Sequence, residues 1–182
     1  MQVNLAPIFS IVSHLHIEPV RDPPDGNRFF TGEGFYMEEL YGKLEWEKRG
    51  GVRFGKFDPK FGSAFDEGVG IYGTDAAEDT YELDEGMGIS PFMQFDGGLA
   101  GDTTITASVF KFDNTWLSNS AITSPAFDAD RTSRVGRNRV RYGGPGNTAY
   151  PTSAALAVEG EKLFRIDGLK YNLGFQRLAR GR

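Results

Sequence analysis

Three groups of residues in this chain have types and spacings that could do chemistry. His14, His16 and Glu18 recur at i, i+2 and i+4, so on an extended segment two imidazoles and a carboxylate share one face, as metal ligands would. These are the only 2 histidines, and the chain has no cysteine. A wet strand face tolerates polar side chains without binding anything, and no metal is expected. Arg137, Arg139 and Arg141 alternate with Asn138, Val140 and Tyr142, shortly after Arg131 and Arg134. An extended backbone would stack the first three as a ladder of guanidiniums suited to anions or phosphate; the plainer reading is a solvated loop. The third group is acidic: Asp58, Asp66, Glu67, Asp75, Glu78, Asp79, Glu82, Asp84 and Glu85, opposed only by Lys60. Its acids are too sparse for a calcium loop. The acidic and basic stretches either face one another, as ion pairs or as a transverse field, or are solvated independently.

No enzyme is expected. Carboxylates are plentiful enough for a glycosidase pair, but none lies in a motif. There is no nucleophile elbow and no phosphate-cradling loop before a helix.

The elements that must position these residues are strands. Between Phe35 and Phe57, Leu40, Gly42, Leu44 and Trp46 fall on one face, and Glu39, Tyr41, Lys43, Glu45 and Glu47 fall on the other. Period-2 alternation of this kind marks a strand with one apolar and one polar side. The turn Lys48-Arg49-Gly50-Gly51 closes a hairpin whose return strand, Val52 to Phe57, carries Arg53. Further strands are expected over Leu5–Val20, Gly86–Phe95, Thr103–Asp113 and Thr152–Glu159, with Pro91 weakening the second of these. In the last strand Leu169, Tyr171, Leu173 and Phe175 oppose Lys170, Asn172, Gly174 and Gln176. Seven strands result, with no helix.

Their connections alternate in length: long near 21–34, 58–85 and 114–150, short at 48–51, 96–102 and 160–167. Every second connection then lies at the same end of the sheet, as in an outer-membrane barrel with long external loops and short periplasmic turns. A soluble sheet gives no reason for that segregation and rarely carries structureless loops of such length. The composition agrees. The 182 residues hold 24 glycines and 13% aromatics, both suited to β-structure with many turns. A net charge of −5 argues against a broad nucleic-acid surface. No apolar run is long enough for a transmembrane helix, which leaves transmembrane strands open. The first residues lack the basic and apolar regions of a secretion signal. Seven strands cannot close, since bacterial single-chain barrels have even strand numbers and open edges are not viable in lipid. The expectation is therefore one portion of a larger barrel spanning 1–182.

The stretch Phe54-Gly55-Lys56-Phe57-Asp58-Pro59-Lys60-Phe61-Gly62 resembles a motif of Gram-negative outer-membrane porins. Gly70-Ile71-Tyr72-Gly73-Thr74-Asp75 and Gly143-Gly144-Pro145-Gly146-Asn147-Thr148 add to the likeness. Together they are similar to the alphaproteobacterial group related to phosphate-selective porins, over about Leu5 to Phe175. The resemblance implies passive diffusion of small hydrophilic solutes, with anion preference if the arginine ladder enters the pore. Expected pore-lining residues are Glu39, Lys43, Glu45, Arg53, Lys170, Asn172 and Gln176, with Arg137, Arg139 and Arg141 setting selectivity. Leu40, Leu44, Trp46, Leu169, Tyr171, Leu173 and Phe175 are expected to face lipid. No cofactor is expected. The expected partners are outer-membrane lipid and lipopolysaccharide, small solutes or anions, and further copies in a homotrimer. The rival readings are a soluble β-sandwich that binds carbohydrate through its aromatics and, more remotely, a β-rich hydrolase using loop carboxylates.

Overall fold

The computed structural model of the protein describes residues 1–19, 33–47, 49–61, 83, 85–118 and 145–181. Alternating side chains produce eight strands: β1 (Gln2–Ala6), β2 (Phe9–Pro19), β3 (Glu33–Trp46), β4 (Gly50–Phe57), β5 (Gly86–Phe95), β6 (Asp102–Phe112), β7 (Ser153–Glu161) and β8 (Lys170–Arg177). They pair in sequence order as one antiparallel meander. Among the described residues the only helical segments are 3-10 turns at Trp116–Ser118 and Leu163–Arg165.

Among the described residues the expected count of seven strands is corrected to eight. The stretch Leu5–Val20 is not one strand, because the chain reverses at Pro7 and Ile8 and lays Gln2 beside Val12. Pro7 is the turn's one characteristic residue; the turn contains no Gly, Asn or Asp, and apolar residues flank the proline on both sides. Pro91, by contrast, stays inside β5. The register runs from Ile89↔Val109 to Phe92↔Thr106 without a shift, so the missing amide leaves the ladder to β6 in step.

The sheet is curled. Phe57 ends β4, and only four residues on, the carbonyl of Phe61 lies against Gly174 of β8, where any side chain would collide with it. Four residues reach at most about 14 Å. In a flat sheet, strands four places apart are about 19 Å apart, before any offset along their length. β8 must therefore be rolled over toward β4. The side on which Phe61 packs, against Leu83, Phe110 and Ala155, is the concave one. β1 and β8 are its edges and do not pair with each other among the described residues.

The two faces differ in kind. On the concave side small polar residues are buried: Ser10, Ser90, Thr106, Ser108 and Ser153, with Phe92 and Phe110 among them. Ser108 donates to Ser90 across β5 and β6 at 2.9 Å. On the convex side Trp46, Gly50, Met93, Ile105, Val158 and Leu173 lie in register across β3 to β8. A neighbouring row carries Ile11, Gly42, Phe54, Ile89 and Val109. Apart from the half-buried Val158 these apolar side chains stand in the open, Leu173 at 68% and Met93 at 50% exposure.

Candidate functional site

The concave face is built from residues whose strand parity turns them away from the apolar rows. On β3 and β4, Lys43 and Arg53 are register partners. Lys43 pairs with Glu45 on its own strand at 2.7 Å. Both cations lie over the Phe92 ring, 5.6 Å from Lys43 and 5.1 Å from Arg53. The ring fills the space a side chain at Gly51 would occupy, so a gap in β4 becomes the seat of two stacked cations. Glu39 is half-buried on the same parity.

On β8, Asn172 donates to Glu159 of β7 at 3.3 Å, and Lys170 lies 3.9 Å from Glu161. With Gln94 and Thr104 they line a cavity of about 700 Å³ at the end where the short connections lie. Gln176 is half-buried opposite Ala155. Glu39, Lys43, Glu45, Arg53, Lys170, Asn172 and Gln176 thus share one face in two groups, one on β3 and β4 and one on β8. The cavity end is polar; toward the long connections the face is filled by Phe61, Leu83, Phe110, Phe112 and Leu178. Of the apolar set, Leu44, Trp46, Leu169, Leu173 and Phe175 are exposed and Leu40 is half-buried. Tyr171 lies across Gly160 and shares a 2.6 Å hydrogen bond with Thr103.

A cluster the sequence reading missed joins the roots of two long connections. Lys56 is fully buried at the end of β4, with Nζ 3.1 Å from Glu85 and 3.3 Å from Asp113, both buried. Nζ also donates to the carbonyl of Met37 at 2.6 Å. The Asp58 carboxylate accepts the Glu85 amide at 2.8 Å. Gly55, at φ +126, precedes Lys56, and the burial alternation of β4 ends there, Lys56 and Phe57 both being enclosed. The signal in the sequence was a lysine two positions beyond Phe54 on the apolar parity. Asp58 and Glu85 thus close this connection at its base. The remaining acids of that stretch, and Arg131, Arg134, Arg137, Arg139 and Arg141, lie outside the described residues.

His14 and His16 share the concave parity of β2, but their carboxylate partner is Glu38 of β3. The Glu38 Oε2 atom is 2.7 Å from His14 Nδ1 and 2.9 Å from His16 Nε2. The pairing of β2 with β3 shifts between His14↔Glu39 and Leu15↔Met37, so Glu38 is the extra residue of a β-bulge. A bulge re-aims a side chain, and here it turns Glu38 toward both rings. The Glu18 side chain lies outside the described residues. In the turn after β7, a 2.7 Å hydrogen bond to Asp102 raises the Lys162 pKa above its ordinary value, with the charge of Asp102 acting in the same direction.

These arrangements define an all-β chain with one open, curled antiparallel sheet, polar and partly hollow inside and apolar outside. No protein-family model, curated protein or solved structure matches it.

Proposed function

We propose that this sheet is part of a barrel in the bacterial outer membrane that passes small hydrophilic solutes, as a porin does. One observation carries the reading: the exposed apolar rows run across the convex side from β2 to β8, while the polar side chains turn inward. A soluble sheet buries its apolar face; a transmembrane sheet turns it to lipid. A soluble carbohydrate-binding sandwich would need a second sheet over that face, and none exists among the described residues. In lipid the edges of β1 and β8 must pair, with further strands or with other copies, because unsatisfied backbone groups are not tolerated there. Lys43 is paired with Glu45 on the concave face, so a preference for anionic solutes rests on the arginine ladder of Arg137, Arg139 and Arg141.

The test is conductance across planar bilayers. Replacing Arg137, Arg139 and Arg141 together by Gln removes charge and keeps polarity. Under a salt gradient the reversal potential is expected to shift toward cation preference, most clearly at low ionic strength, where the Debye length exceeds about 10 Å and the charges are less screened. An unchanged potential removes these arginines from the pore. A monodisperse, cooperatively melting monomer in plain buffer overturns the membrane reading itself.

A further inference from the structure

We propose that His14, His16 and Glu38 form a binding site for one divalent transition-type cation, of which zinc is the type, on the concave face of β2 and β3. His14 Nδ1, His16 Nε2 and a Glu38 carboxylate oxygen converge within 4.8 Å of one another. Ligands about 2.0–2.1 Å from a tetrahedral ion are separated by about 3.3 Å. The observed separations of 2.7 and 2.9 Å need to open by only a few tenths of an ångström. Without metal, both imidazoles donate to the same carboxylate oxygen, so the donors are already gathered. The rings stand edge to face with centroids 4.5 Å apart, and His16 packs on the Tyr36 ring at 5.9 Å. Tyr36 is buried, so the second ring rests on a fixed wall.

The donor set selects the ion. Two imidazoles and one carboxylate suit zinc, cobalt, nickel or copper, whereas calcium and magnesium demand six or more oxygens. Three protein ligands leave at least one position for water or solute, which separates this site from closed structural ones. The His14 side chain is 56% exposed, which gives the ion a path in. The site bridges β2 and β3 at the bulge, and its occupant exchanges with solution on the concave side.

The full chain in detergent at pH 7 tests this by calorimetric titration with zinc, and with magnesium and calcium as counter-probes. One saturable zinc per chain is expected, with no binding of magnesium or calcium. His14→Ala and Glu38→Gln should each weaken zinc by at least the roughly 10–100-fold that loss of an outer-sphere partner costs. Because the chain has only 2 histidines, their ring resonances report on the unaltered protein even where a variant fails to fold. Zinc should shift both rings together at one equivalent. Absence of saturable binding, a shift of one ring alone, or full affinity in the His14→Ala/His16→Ala double variant overturns the proposal.

Discussion

At the scale of the residue, the buried ions are where losing a single partner is most costly. Lys56 sits fully enclosed between Glu85 and Asp113. Removing its charge would leave two carboxylates in a dry pocket, and breaking such a cluster costs about 3–5 kcal/mol. Lys56→Met is therefore expected to lower resistance to urea or heat in detergent by that amount, whereas Lys60→Met, at an exposed position, should change little. Equal melting of the two variants would remove the cluster from the stabilising set. This cluster was not legible from spacing, and of the His–Glu group only the two histidines were. Positions 56, 85 and 113 meet only because three strands pair in one register. Glu38 reaches His14 and His16 only because a bulge, a property of two strands together, adds a residue to one of them. Along a single strand Glu18 looked the better ligand.

At the scale of the element, the period-2 pattern was readable wherever the two sides of a strand meet different surroundings. From Glu39 to Trp46 of β3 and along β8 the faces follow the expected alternation, which breaks at the Glu38 bulge and at Lys56 of β4, and Gly86–Phe95 matches β5 residue for residue. The turn at Pro7 and Ile8 was lost because apolar residues continue through it. β8 offers the direct test of the faces, since Leu173 and Asn172 are neighbours turned opposite ways. Leu173→Arg places a cation on the convex row, at a cost of about 2–4 kcal/mol if that row lies near a bilayer midplane. It should fail to assemble into outer-membrane vesicles, while Asn172→Arg, on the cavity wall, should assemble and resist heat as the parent does. Equal behaviour of both would mean that the convex side does not meet lipid.

At the scale of the whole molecule, the meander makes almost every pairing local, each strand meeting the one just before it. The contact of Phe61 with Gly174 is different. It joins residues on opposite sides of β5, β6 and β7, so it cannot form until all three have been laid down and the sheet has rolled. Local hairpins close in about 1–10 μs, and a distant contact waits for the loop-closure entropy to be met. Phe61 therefore acts as a clock for assembly: its docking on β8 marks the moment at which the ribbon becomes a rolled shell. Gly174→Ala, which sets a methyl group against the Phe61 carbonyl, should impair only the last phase of refolding, after strand signal is complete, and an effect on the early phase would mean that the ends meet before the middle is built. Docking leaves the outer edge of β8 without a strand partner among the described residues, so it is the rolled shell, and not the open ribbon, that meets its next neighbour.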